Sequence, residues 1–436
     1  MIEEEPVTPL KSRIDRRSLL KLIGVAGVAS AAGAWPALAP NISAAETDIS
    51  RFKIRVSDDD LSDLHRRLTN IRWPPEATGS PWAMGTDRAY LQQLMAYWRD
   101  KYNWRVQEAA LNSFDHYMTT IEGQKIHFIH QKSRQASAMP LLMTHGWPGT
   151  FWEMLPSVQA LADPTAHGGA ATDAFDVIVP SIPGFGFSGE PLDGTSPDRT
   201  GELWMALMDK LGYRRFGAYG SDWGLDITIP LGTRFPDRLI GTAVAGQPPR
   251  TNREPRTAEE RAYLATSERF NAEEMRGYQN IHGTKPQTLA YGLTDSPVGT
   301  AAWIVEKLRA WSDCKGDVES RFSKDQILTL VSIYWHTRTL ATSARLYYFS
   351  GRWKTPPSVR VPGSSPRSEQ PSGSVPRGYF DFPGIRPQHM PRSFVDKVPE
   401  IVTFWPAHET GGHFPAAEEP KLLVEDLRTF FRPLRS

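Results

Sequence analysis

The stretch "GAYGSDWGLD", Gly217 to Asp226, decides how this chain is read. It follows the pattern small-x-nucleophile-x-small, the spacing of a sharp turn from a strand into a helix. The turn is so tight that bulky side chains two positions either side of the nucleophile would collide with the neighbouring strand and helix. Ser221 and Asp222 compete for the centre. Around Ser221 the flanking positions are Tyr219 and Trp223; around Asp222 they are Gly220 and Gly224. Only Asp222 satisfies the steric rule, so the nucleophile is read as a carboxylate and Ser221 as filler. A carboxylate is a poor choice against amides and esters. It can, however, displace a leaving group from an sp3 carbon, which leaves a covalent alkyl ester on the protein.

The same apolar run and Gly/Pro turn recurs in "MPLLMTHGWPG" (139–149) and "FDVIVPSIPGFGFSG" (175–189), and "LIGTAVAG" (239–246) gives a further strand. Helical periodicity lies between them, as in "TGELWMALMDKLG" (200–212). Strands alternating with helices argue for an α/β fold, a mostly parallel sheet covered on both faces. Ahead of it, 46–132 is mostly helical in pattern, with "SDDDLSDLHRRLTNIRW" (57–73), "RAYLQQLMAYWRDKYNW" (88–104) and one strand, "KIHFIHQK" (125–132). After 246 the strand signals stop. Amphipathic helices fill 247–352, including "PVGTAAWIVEKLRAWS" and "KDQILTLVSIYWHTRTLATSARLYYF", and read as a helical cap inserted between two core segments, 133–246 and 379–436. A Pro/Ser-rich loop, 353–378, separates cap from core. The sheet resumes with "YFDF" and "EIVTFWP", and "PKLLVEDLRTFF" closes the chain.

Lys plus Arg is 50 and Asp plus Glu is 49, which gives no reason to expect a nucleic-acid or anionic-membrane partner. Cys314 is the one cysteine, so no intramolecular disulfide and no Cys-based zinc site can form. Neither a metal nor an organic cofactor is expected. The N-terminal segment 1–45 pairs Arg16 and Arg17, continues in an apolar Gly/Ala-rich run and offers small-residue cleavage patterns, which resembles a twin-arginine export signal. The run is short and weakly apolar for a membrane span, which needs roughly 20 strongly apolar residues. The periplasm of a bacterium is the expected address, with no lasting membrane association once the signal is cleaved.

An alkyl ester must be hydrolysed, and that step needs a base. His413, in "GGHFPAAEEP" (411–420), follows the last strand, where the chain order nucleophile, acid, histidine puts it. "HGWPG" (145–149) follows the strand that carries half of an oxyanion hole, so the backbone amides of Trp147 and Trp223 are expected to face the ester oxygen. The His145 side chain is read as structural. Opening an epoxide would also need an acid for the departing oxygen, and a tyrosine serves because it donates a hydrogen bond while neutral. The cap offers Tyr278, Tyr347 and Tyr348, and spacing alone does not choose among them.

"HGWPG", "IPGFGFS", "GSDWG", "GYQNIHGTKPQTLAYGLTDSPVG", "IYWHTRT", "SARLYY" and "GGHFPAAEEP", in this order, resemble the motifs of the microsomal-type epoxide hydrolases and their juvenile-hormone relatives. The segment before them resembles that family's N-terminal meander. The resemblance implies an α/β-hydrolase fold and hydrolysis of a small lipophilic epoxide to a vicinal diol through an aspartyl ester. It implies Asp222 as nucleophile, His413 as base, Tyr347 as proton donor and Tyr278 as its partner, with no counterpart for Tyr348. One position departs. Where the family carries the acid that orients the histidine, "VPRGYFDFPGIRP" has Ile385. Asp381 and Asp396 are the expected substitutes. Two rival functions are a haloalkane-type dehalogenase, in which Trp223 would cradle halide, and a catalytically weak exported lipophile carrier.

Overall fold

The computed structural model describes residues 49–248, 254–352, 375–383, 389–394 and 402–435. Segment 1–45, most of the Pro/Ser-rich loop, Ile385 and Asp396 lie outside the described residues. The apolar runs become strands of one nine-stranded sheet in the order β1-β2-β3-β5-β4-β6-β7-β8-β9. These are β1 (Ser50–Arg51), β2 (His116–Ile121), β3 (Gln124–Gln131), β4 (Met139–Thr144), β5 (Phe175–Pro180), β6 (Phe216–Gly220), β7 (Leu239–Ala245), β8 (Arg377–Phe380) and β9 (Val402–Phe404). β1 to β3 are antiparallel, β3 meets β5 antiparallel, and the remaining pairings are parallel. The sheet is therefore mostly parallel, as an α/β-hydrolase fold requires.

The apolar runs are continuous because both faces are covered. Leu141, Met143, Val177 and Val179 pack into one core cluster, whereas Leu142 and Ile178 pack into the other, the period of two that a pleated strand imposes. α4 (Phe151–Ala162), α5 (Pro197–Lys210) and α6 (Trp223–Arg234) supply cover beside the first parallel strands, and α14 (Pro415–Glu418) and α15 (Pro420–Phe431) complete it near the C-terminus.

Ahead of the sheet stand α1 (Asp58–Thr69), α2 (Arg88–Asp100) and α3 (Trp104–Leu111). Ser57 caps α1 by accepting from the Asp60 amide, and Asp58, Asp59 and Asp60 place negative charge at the positive end of the helix dipole. This region holds more strand than its helical periodicity suggested. β2 pairs with β3 through Glu122 and Gly123, both at positive φ (50° and 82°), a two-residue turn that keeps the hairpin in register.

The cap comprises α7 (Ala258–Phe270), α8 (Arg276–Thr284), α9 (Pro286–Asp295), α10 (Pro297–Trp311), α11 (Lys324–Thr337), α12 (Thr339–Ser343) and α13 (Arg345–Phe349). The apolar stretch 324–349 breaks at Arg338, which adopts a left-handed conformation (φ 57°) and turns α12 and α13 out of the line of α11. Tyr278, Ile304, Trp311 and Tyr347 of the cap share a core cluster with Leu142 and Trp223 of the sheet layer. The cap thus brings its aromatic residues to the C-terminal ends of β4 and β6. Among the described residues no helix is long and apolar enough to cross a membrane.

Candidate active site

Asp222 sits between β6 and α6 at φ 51° and ψ −117°, a backbone conformation that costs a non-glycine residue about 1–3 kcal/mol. Its surroundings leave it no alternative. A Cβ on Gly220 would stand 2.1 Å from the Gly224 carbonyl oxygen, and one on Gly224 would stand 2.0 Å from the Thr144 oxygen. A Cβ on Gly146 would lie 2.3 Å from that of Asp222. The steric reading of "GSDWG" is realised in these contacts.

The two carboxylate oxygens of Asp222 have different neighbours. Oδ1 accepts a 2.8 Å hydrogen bond from the Trp147 amide, and Oδ2 lies 3.4 Å from Nε2 of His413. Trp223 is the first residue of α6, directly after Asp222, at the positive end of that helix. His413 is itself fixed by its backbone amide, which donates to the Trp311 carbonyl at 2.9 Å, and by its ring, whose centroid is 4.9 Å from that of Trp311.

The cap resolves the choice of tyrosine by geometry. Tyr278 and Tyr347 are both buried with their hydroxyl oxygens 3.5 Å apart, whereas Tyr348 is 39% exposed. Burial and the nearby Asp222 carboxylate push the Tyr278 phenol well above its ordinary value. Burial does the same to Tyr347, reinforced by Tyr278 and Asp222, and its ring meets the Trp223 ring edge-on with centroids 4.7 Å apart. Both phenols are therefore neutral donors at any physiological pH. The Trp147 ring stacks on Tyr278 with centroids 5.0 Å apart and planes 14° apart.

Asp381 stands at the end of β8, and its carboxylate is engaged away from His413. Oδ1 accepts from Nε2 of Gln247 at 3.0 Å, and Oδ2 lies 3.2 Å from the His389 ring. Among the described residues Nδ1 of His413 has no hydrogen-bond partner. Asp381 thus makes no contact with the histidine among the described residues, and its Oδ1 is held by Gln247. It does line the same cavity of about 480 Å³ as Asp222, Leu225, Gln247, Met275 and His413.

Two further carboxyls, absent from the sequence-based site, support these loops. Glu153, on the first turn of α4, is buried and accepts from Oγ of Ser221 at 3.1 Å. Burial pushes its carboxyl up to about 8. Ser221 is therefore not filler: it ties the turn at Asp222 to the first turn of α4. Glu418 accepts from the amides of Phe414 (3.0 Å) and Asp313 (2.8 Å), and burial pushes it up to about 7. The signal for Glu153 was an acid inside the apolar helix "FWEMLPSVQALA", where a lone charge is costly unless it is neutralised or paired. His145 is buried, with Nε2 accepting from the Ile182 amide at 3.2 Å. Cys314 is buried and donates to the Arg309 carbonyl. Among the described residues no group of His, Cys, Asp or Glu could hold a metal ion.

Residues 49–154 match the family described as epoxide hydrolase N terminus, and residues 139–225 match the alpha/beta hydrolase fold. Epoxide hydrolase 1 of Sus scrofa is 33% identical over 91% of this chain and 92% of its own. A candidate epoxide hydrolase of Stigmatella aurantiaca is 40% identical over 89% of this chain and 86% of its own. The chain belongs to the epoxide hydrolase family. Among solved structures, the juvenile hormone epoxide hydrolase of Bombyx mori superposes with a TM-score of 0.78 at 26% identity, covering 89% of this chain and 95% of that one. The Aspergillus niger epoxide hydrolase gives 0.75 at 28% identity, covering 88% and 96%. Membership of the epoxide hydrolases makes the carboxylate, imidazole and phenol pair around one cavity the natural place to look for chemistry.

Proposed function

We propose that this chain converts a small lipophilic epoxide to a vicinal diol through an ester on Asp222. The observation that carries the reading is the asymmetry of the Asp222 carboxylate. Its Oδ1 is held by the Trp147 amide, and its Oδ2 faces His413 with no hydrogen bond of its own among the described residues. In the first step Oδ2 attacks an epoxide carbon and the carbon–oxygen bond of the ring breaks. The departing oxygen takes hydrogen bonds from Tyr278 and Tyr347 and a proton from Tyr347. Oδ1 becomes the ester carbonyl oxygen, already facing the Trp147 amide, with the Trp223 amide as second donor in the tetrahedral intermediate. In the second step His413 takes a proton from water, the water oxygen bonds to Cγ of Asp222, the bond from Cγ to the diol oxygen breaks, and His413 returns the proton to that oxygen. The proton left on the new Asp222 carboxyl goes back to the Tyr347 phenolate, so every group regains its starting state. One water is consumed per turnover.

The geometry supports this over halide displacement. The Trp223 ring packs edge-on against Tyr347, with centroids 4.7 Å apart, so the indole is engaged with the phenol pair. Single turnover in ¹⁸O-labelled water with excess protein tests the mechanism. The diol is expected unlabelled and the label on Asp222, because the attacking water bonds to the ester carbon. Labelled diol from the first turnover would mean direct attack by water and would sink the proposal. The paired Arg16 and Arg17 support export through the twin-arginine route. Replacing both by Lys and finding the protein still in the periplasm would refute that part.

A further inference from the structure

Lys307, on α10, is 6% exposed, and its ammonium lies among aromatic rings: 4.9 Å from the centroid of Tyr278, 5.9 Å from Trp303 and 5.7 Å from Trp311. Its charged partner is Glu306, the residue before it. His282 also feels the ammonium, and burial together with that charge pushes its imidazole down to about 3. A buried cation is costly, and Leu or Met would fill the space on α10 with less desolvation. Packing alone therefore does not account for a lysine here.

We propose that Lys307 is a positioning residue that acts through Tyr278, its ammonium over the ring strengthening the phenol as a donor to the opening epoxide oxygen. This rests on the reading of Asp222, Tyr278 and Tyr347 given above. As that oxygen draws on the Tyr278 O–H bond, negative charge builds on the phenol and spreads into its ring. A cation held over the ring face is attracted more strongly to the charge-rich ring than to the neutral one. The interaction thus grows toward the transition state, the condition for accelerating a step rather than only tightening binding. Glu306 opposes it, since its carboxylate pushes the same phenol up.

Three variants test the proposal: Lys307→Met, Lys307→Arg and Glu306→Gln, each followed by the time course of adduct formation and of adduct decay in intact mass. Lys307→Met is expected to slow alkylation about 10- to 100-fold with adduct decay and melting temperature unchanged. Lys307→Arg should recover most of the rate. Glu306→Gln should speed alkylation by about 3-fold, since it leaves the ammonium less neutralised; a merely structural role predicts no gain. Wild-type alkylation in a folded Lys307→Met, or equal slowing of both steps, would overturn the proposal. Should Lys307→Met fail to fold, no gain in Glu306→Gln would overturn it.

A binding measurement separates this inference from the functional reading. A small lipophilic primary amide presents a carbonyl oxygen to the two phenols without reacting. Calorimetry should show about 10-fold weaker binding to Lys307→Met and none of that loss in Lys307→Arg. If the wild type forms neither adduct nor diol, the functional reading fails, and the amide result alone then decides whether Lys307 acts on Tyr278.

Discussion

The nucleophile turn and the histidine loop meet at one carboxylate but are built to different tolerances. At the turn, three glycines leave no room for a methyl group, a backbone amide grips Oδ1, and Ser221 and Glu153 tie the two contributing segments together. The histidine is held by its backbone and by ring contact with Trp311, while Nδ1 has no partner among the described residues. The side that makes the ester in the proposed mechanism is fixed by hard contacts and short hydrogen bonds. The side that breaks it relies on the packing of a ring. On the proposed mechanism, capture and release of substrate would therefore be separable, and substitutions would push them further apart or bring them level.

The largest effect is expected from Asp222→Asn. A neutral amide is a far weaker nucleophile, so both adduct and diol should fall by at least about 10⁴-fold, measured by intact mass and product assay. His413→Ala should split the two halves. Alkylation should proceed near the wild-type rate while diol formation falls about 10³-fold and the ester accumulates. Loss of alkylation in that variant would show that the loop also builds the capture side.

Glu153→Gln probes the tie beneath the turn and is read as stability against pH. The folded carboxyl titrates near 8, whereas an unfolded Glu titrates near about 4.3. The folded state therefore binds more protons between these values, and stability falls as pH rises from about 4.3 to 8. The variant should lose that slope and gain about 4 kcal/mol relative to wild type between pH 4 and pH 8, measured by urea unfolding. An unchanged slope would place the titrating group elsewhere. The smallest effect belongs to Asp381→Asn. Its oxygens serve Gln247 and His389, so diol formation should change less than about 3-fold. A loss of 100-fold or more would mean that the carboxylate swings to His413 during turnover.

The fold and the steric limits of the turn at Asp222 were legible in the sequence because both rest on local rules. Buried parallel strands give unbroken apolar runs, and a tight turn excludes side chains two residues either side of its centre. The phenol pair was not legible from spacing. Tyr278 and Tyr347 are 69 positions apart and meet only because α8 and α13 fold over the same end of the sheet. Two misreadings share a cause. Ser221 was read as filler and Glu153 passed unnoticed because each has its role only through the other, 68 residues away. The hairpin at Glu122–Gly123 was readable in principle, since "HYMTTI" alternates up to a two-residue turn ending in glycine, but the helices before it dominated the pattern.

Trp147 contributes twice, by its amide to Asp222 and by its ring to Tyr278. The two contributions obey different genetics. Replacing the side chain leaves the amide in place, so mutation can erase the stacking but cannot directly delete the grip on the Asp222 carboxylate. They also meet in one residue, so the cap, through Tyr278, and the peptide that holds Asp222 rest on the same indole-bearing position.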